Sequence, residues 1–303
     1  GMVDNVRGHA SVTADIAWTR AAITGTARAR LDGLSLATST IPVVENVRGE
    51  VFFDDVFAPT TAPGQNITVG LVNPGIAVRD GRVRFQLLPE QRVSIEQAEF
   101  DFAGGVLAMS PTIIALGAEE TRFELALRDV DAARLVADLN LPDLAASGRV
   151  EGTFPLRLTR RSGFIENGVL RAQPGGGAIA YTGNAGASAT GPARLAFDAL
   201  RSFRYDNLSL TLNGDLSGEV VSQIAFSGEN TGQAMDLGPV APIPGLGRVT
   251  VRGVPFDFNV TVTAPFRRLA QTAASFTDPG ALLDQAEQAG EERAVDPPPP
   301  APR

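Results

Sequence analysis

The chain has one histidine, His9, and neither cysteine nor lysine, so every one of its 26 basic residues is arginine. Without cysteine there is no thiolate nucleophile, no disulfide and no cysteine metal site. Without lysine there is no Schiff base and no lysine-bearing phosphate loop. A single imidazole cannot build a histidine metal cluster, and no nucleophile nearby marks His9 as a general base, so it reads as a surface residue. Carboxylates stand side by side at Asp54-Asp55, Glu119-Glu120 and Glu291-Glu292. Neighbours on a strand point to opposite faces and cannot share one proton or one metal. Gly175-Gly176-Gly177 is followed by strand-like Ile179 and Tyr181 instead of a helix, so it reads as a turn between strands and not a phosphate cradle. Ser11 and Ser35 lie in no nucleophile-elbow context. No catalytic constellation emerges, and neither an enzymatic activity, a metal nor a cofactor is expected.

Charge narrows the partners further. The 303 residues carry a net charge of −8, which argues against nucleic acid. Half of that charge lies in 277–303, where six acids face Arg293 and Arg303. No apolar run reaches the ~18 residues that a membrane helix requires. The start has no signal-like stretch, and Gly1 ahead of Met2 reads as a cloning remnant, consistent with a leader or anchor having been removed.

The elements that must position any site are strands. Val83, Phe85 and Leu87 alternate with arginine and glutamine, and Phe123, Leu125 and Leu127 with charged residues. Phe154, Leu156 and Leu158, then Leu208, Leu210 and Leu212, then Phe256, Phe258, Val260 and Val262, repeat the pattern. Period two places one apolar and one wet face on each strand. Pro155 calls for an edge or a bulge. Asp32-Gly33, Asp80-Gly81, Asn167-Gly168 and Asn213-Gly214 predict tight hairpins, and hence an antiparallel meander. Helical spacing predicts three short helices: Ala132 to Leu139, capped by Asp131 and stopped by Pro142; Pro192 to Arg204; and about Phe266 to Ala274. Residues 1 to about 275 read as one elongated β-rich body in which a unit of apolar strand, glycine turn and apolar strand recurs. Residues 276–303 read as a short amphipathic segment and a disordered acidic, proline-rich tail.

Sixteen phenylalanines against two tyrosines and one tryptophan make most aromatic area purely apolar. That suits a packed core or a surface for acyl chains, and composition leaves both open.

One region resembles a known family. The run Gly163-Phe164-Ile165-Glu166-Asn167-Gly168-Val169-Leu170-Arg171, continuing to Gly177, Ile179 and Tyr181, is followed by Ala199-Leu200-Arg201-Ser202-Phe203-Arg204-Tyr205-Asp206-Asn207-Leu208. Then come Leu212-Asn213-Gly214-Asp215-Leu216-Ser217-Gly218, Phe226-Ser227-Gly228-Glu229-Asn230 and Pro255-Phe256-Asp257-Phe258-Asn259-Val260. In this order, from about Gly148 to Pro279, they resemble the C-terminal region of the YdbH family, also labelled a dicarboxylate-transport family, among the AsmA-like envelope proteins. Upstream only the strand texture is compatible, and the tail after Ala289 shows no likeness.

The resemblance implies a mainly β fold: an elongated, curved antiparallel β-groove, taco-like, with an apolar interior. It implies a periplasmic protein held by an N-terminal inner-membrane anchor, which this sequence lacks, so the chain is read as a fragment or a short member. It implies transport of phospholipid between the two membranes, with a small outer-membrane lipoprotein added as a strand at the C-terminal end. The candidate lining residues are Phe154, Leu156, Ile179, Tyr181, Leu208, Leu210, Leu212, Phe256, Phe258 and Val260, each equally readable as core. Pro192 to Arg204 is expected to cap one flank, and the proline- and glycine-rich Met235 to Gly247 to form a loop. The alternative is an envelope scaffold that pairs with a partner by β-augmentation. A dicarboxylate-binding protein is the third reading, although Arg160-Arg161 is the only adjacent basic pair upstream of the third predicted helix.

Overall fold

A computed structural model describes residues 4–20, 22–37, 43–73, 77–139, 141, 143–159, 162–184, 191–216, 218–232, 235–236, 250–251, 253 and 255–265. Its strands are β1 (Asp4–Trp18), β2 (Ile23–Ala37), β3 (Val43–Asp55), β4 (Thr60–Thr61), β5 (Gln65–Asn73), β6 (Val78–Leu88), β7 (Arg92–Phe102), β8 (Gly105–Met109), β9 (Thr112–Ala115) and β10 (Glu120–Asp131). After helix α1 (Ala132–Asp138) come β11 (Leu144–Ala146), β12 (Arg149–Thr159), β13 (Gly163–Ala172) and β14 (Gly177–Tyr181). After helix α2 (Gly191–Leu200) come β15 (Phe203–Asp215), β16 (Glu219–Asn230), the short β17 (Met235–Asp236) and β18 (Thr250–Val251), and β19 (Pro255–Pro265).

Seventeen strands form one sheet, and β17 with β18 a second. The ladder runs β1, β2, β3, β5, β6, β7, then β8, β10, β12, β13, β15, β16 and β19, with every neighbouring pair antiparallel. β9 continues the line of β8 along β7, while β11 and β14 extend the sheet beside the start of β15. Among the described residues no pairing joins β1 to β19, so the sheet is open. At about 4.8 Å per neighbour, it extends on the order of 60 Å across its strands. The meander expected from alternation is therefore present, on strands of up to 15 residues.

The predicted hairpin turns are not where the turns are. Asp32-Gly33 lies inside β2, Asp80-Gly81 inside β6, Asn167-Gly168 inside β13 and Asn213-Gly214 inside β15. At the first three the register slips, and Gly33, Asp80 and Asn167 have φ of 69°, 50° and 56°. These are bulges, which use the same left-handed conformation as a hairpin turn but bend a strand that continues. Tight turns with two residues at positive φ occur instead at Glu90-Gln91 and Ala103-Gly104. Pro155 falls as expected: it pairs in register with Glu124 of β10, while the pairing with β13 slips between Thr153 and Leu156. Pro174-Gly175 forms the expected turn between β13 and β14.

Bulges and glycines line up across the strands as a crease. Asn46 of β3 (φ 58°) stands against Gly70 of β5, beside Asp80 of β6. Further along, Gly105 of β8 packs on the Asp129 carbonyl, Gly148 on the Gly176 carbonyl and Gly228 on Tyr205. A Cβ on Gly148, where φ is +106°, would lie 2.5 Å from the Gly176 oxygen. Glycine is what lets adjacent strands approach there, and such kinks curve a sheet.

Two helices lie against this end of the sheet. Asp131 caps α1 by accepting from the amides of Ala133 and Arg134. α2 ends at Leu200 and not at Arg204, because Phe203 and Arg204 already pair with Asn230 and Glu229 of β16. The buried Asn230 side chain holds that end, donating to the Ala199 and Asp198 carbonyls at 3.1 and 3.4 Å. The predicted helix near 266–274, Pro142, the tail and most of the 235–247 segment lie outside the described residues.

Candidate functional site

Antiparallel register turns alternation along each strand into rows across strands. One row runs Val47, Val69, Gly81, then Phe100, Leu107, Leu127, Gly152, Leu170, Leu210, Ile224 and Val260, each opposite the next or, at Gly81 and Phe100, stacked across a bulge. A parallel row runs Leu31, Gly49, Ile67, Val83, Ala98, Met109, Leu125 and Phe154. The Phe154 ring lies over Gly168, opposite Leu212. A third begins at Phe123 and passes through Leu156 and Ile165. The result is one apolar face spanning β2 to β19.

The structure brings the predicted lining residues onto this face in two groups. Phe154, Leu156, Leu210 and Leu212 sit in the rows just described and Leu208 stands opposite Phe226 of β16; Leu156 is buried and the others are partly exposed. Phe258 and Phe256 join an aromatic cluster: Phe226 stacks on Phe258 at 4.7 Å, Phe258 on Phe256 at 5.7 Å, and the buried Phe203 meets Phe226 and Phe258 edge-on. Val260 stands opposite Ile224 in register. Ile179 pairs with Phe203 and Ala146. Tyr181, two residues on along β14, faces Phe197 of α2 with ring centroids 6.0 Å apart, so it lies under the helix.

Sequence reasoning missed the upstream half of the rows, from Val47 and Ile67 to Phe100, Leu107, Met109 and Leu127. The signal was there, since Val83, Phe85, Leu125 and Leu127 already showed the alternation. The recognised family motifs lie downstream and drew the candidates there. The most buried cluster also spans the middle of the ladder: Val78, Phe102, Ala103, Leu127, Val130, Ala132, Val150 and Leu170, with Leu135 of α1 against it.

The opposite face is charged. Arg128 reaches Glu99 at 2.9 Å, Arg84 reaches Glu96 at 2.8 Å, Arg122 reaches Glu120 at 2.7 Å and Arg157 reaches Glu166 at 2.6 Å. Arg204 pairs with Glu229. The Arg157 guanidinium holds the Glu166 carboxyl below its ordinary range, and the hydrogen bond to Glu120 raises Arg122. Exposed pairs of this kind add little stability, but they keep this face wetted. Arg157 also covers the Phe164 ring at 4.2 Å, shielding one aromatic that points outward. His9 is exposed on β1.

Among the described residues no group of three histidine or acidic side chains could hold a metal, and no helix is long and apolar enough to cross a membrane. What the arrangement offers chemically is a broad apolar face with a polar back, suited to shielding hydrocarbon from water.

A family model described as YdbH-like, intermembrane phospholipid transport protein YdbH, matches residues 1–288. The match takes in the N-terminal half, well upstream of the 148–279 stretch in which the motifs were recognised. No curated protein and no solved structure matches the chain.

Proposed function

Because this chain belongs to the YdbH-like family of intermembrane phospholipid transport proteins, we propose that it conducts phospholipid by laying acyl chains along the apolar face while the head groups stay at its rim. The observation that carries this reading is the cross-strand row from Val47 to Ile224, carried over the bulge at Gly81 by the Phe100 ring, on an open sheet. Each methylene hidden from water is worth about 0.8 kcal/mol, so a chain leaving a bilayer needs continuous apolar contact and no catalyst. Rows of similar side chains across successive strands offer equivalent resting places, so sliding along them meets no deep trap. Phe154, Leu156, Leu208, Leu210, Leu212, Phe256, Phe258 and Val260 are proposed as lining, with Ile179 and Tyr181 as part of the end covered by α2. Work between two membranes belongs in the envelope, so we expect the protein in the periplasm, anchored at the inner membrane.

A second reading concerns partners. β19 pairs only with β16 among the described residues, which leaves a strand edge at the C-terminal end of the ladder. A small outer-membrane lipoprotein adding a strand there would prolong the groove, and the same edge would serve a scaffold. The face assignment is tested with a photo-crosslinking residue at Leu210 or at Thr211, adjacent positions on opposite faces of β15, in cells fed labelled phospholipid. Crosslinks to lipid are expected from Leu210 alone; equal crosslinks from both, or none from Leu210, contradict the groove.

A further inference from the structure

Where the crease meets α1, the rim of the apolar face opens into a hollow of about 600 Å³. That lies within the ~300–1,000 Å³ common for small-ligand sites. Phe102 and Ala103 line it and also belong to the buried apolar cluster, so the hollow adjoins the proposed path of the chains. Its polar wall carries four charges: Arg79 at the start of β6, Asp101 near the end of β7, and Arg134 and Asp138 on α1.

Arg79 stands directly opposite Asp101 in register, yet among the described residues none of the four takes part in an ion pair within 4.0 Å. Elsewhere on the sheet, facing arginines and acids do close, as at Arg84–Glu96 and Arg128–Glu99. Arg134 is fixed at its base. Its amide donates to Asp131 and its side chain lies on Gly104, where a Cβ would come within 2.9 Å of the guanidinium Nη1. The turn beneath is itself tied down, the Ala103 carbonyl accepting from the Asp131 amide and the Gly104 carbonyl from Arg149.

From this arrangement we infer that the hollow is a resting site for a zwitterionic phosphodiester head group bearing a primary ammonium, of the phosphoethanolamine type. Arg79 and Arg134 take the phosphate, and Asp101 and Asp138 the ammonium. An anion alone would meet two carboxylates as well as two guanidiniums, whereas a ligand of both signs meets a partner for each. The ammonium has three protons to donate to carboxylates, which a quaternary choline lacks. The inference rests on the proposed lipid path, since it gives the head group a place beside the chains.

The test uses probes without acyl chains, so that it reads the hollow independently of the apolar face. The whole protein is titrated with glycerophosphoethanolamine, glycerophosphoglycerol and inorganic phosphate, following the arginine side-chain NH resonances by NMR. Glycerophosphoethanolamine is expected to bind about tenfold more tightly than either other probe. Arg134→Gln should weaken it by about tenfold, and Asp138→Asn should remove the preference over glycerophosphoglycerol, with circular dichroism confirming that both exposed-site variants are folded. No binding of glycerophosphoethanolamine, equal binding of all three probes, or equal binding to wild type and variants overturns the assignment. Tighter binding of inorganic phosphate overturns it too, in favour of a plain anion site. Loss of lipid crosslinking at Leu210 with retained glycerophosphoethanolamine binding would instead count against the acyl-chain path and leave the hollow standing.

Discussion

Strand β1 and the pair β12–β13 have the same alternation in sequence and opposite fates in the fold. Val12, Ile16 and Trp18 of β1 point to the side that carries Ala29 and Gly25 on β2, yet they are 66, 62 and 82% exposed. Leu156, Ile165 and Leu170 on β12 and β13 are all below 10%. The difference is one of neighbours. β1 pairs only with β2 among the described residues, whereas β12 and β13 each have a strand on both sides and further rows beyond. Alternation assigns a side chain to a face, and the number of flanking strands decides whether that face is covered.

The sharpest way to break this comparison is truncation on each side of it. Leu170→Ala leaves a cavity among Gly152, Leu210 and the central cluster and is expected to cost about 2–5 kcal/mol in chemical denaturation. Trp18→Ala, with a far larger side chain removed, is expected to stay within about 0.5 kcal/mol. Equal losses would mean that burial is not set by ladder position.

The crease sharpens the same point at the backbone. Gly148 and Gly175 share nearly the same φ, +106° and +104°, but a Cβ at Gly175 meets nothing within 4 Å. Both Ala substitutions carry the conformational strain, about 1–2 kcal/mol, and Gly148→Ala adds the clash with Gly176, for about 3 kcal/mol in all by thermal unfolding. A smaller effect is expected beside it. Tyr205 is buried at the same junction and donates to the Ser147 carbonyl at 2.6 Å; burial pushes its hydroxyl pKa up. Tyr205→Phe is expected to cost about 1 kcal/mol, or somewhat more for the carbonyl left behind. Because the folded state favours the neutral phenol, wild type should lose stability relative to this variant as pH rises past the ordinary tyrosine range.

The smallest effect expected is at α1. Hydrogen bonds from the Arg134 and Ala133 amides hold the Asp131 carboxyl below its ordinary range. A depressed carboxylate contributes stability above its unfolded pKa and loses it as pH falls through the folded value. Asp131→Asn keeps a capping acceptor, so its acid unfolding should be less steep than that of wild type over that window.

Strand positions, faces and the antiparallel meander were legible because period two survives any tertiary context. The bends were not. Asp80-Gly81 and Asn167-Gly168 report a left-handed residue, and that is equally the requirement of a hairpin turn and of a bulge within a strand that runs on. Glu90-Gln91, which does turn, shows no glycine at all. Phe203 shared a helical face with Ala196, Ala199 and Leu200 in the sequence, but cross-strand pairing with Asn230 claimed it for β15. For the site, the alternation in the sequence marked Leu210 and Leu212 as candidates, and register places them in the apolar rows, while Val69 and Leu107 became visible only when register joined their rows to that face.

The central claim, that this face holds acyl chains, is tested most directly by lipid mass spectrometry on protein purified without detergent. Wild type and a Leu210→Asp, Phe256→Asp variant are extracted in parallel with organic solvent, and the variant's fold is checked by circular dichroism. Stoichiometric phospholipid in wild type and its loss from the folded variant is the predicted result. A lipid-free wild type, or a variant that keeps its full complement of lipid, contradicts the account.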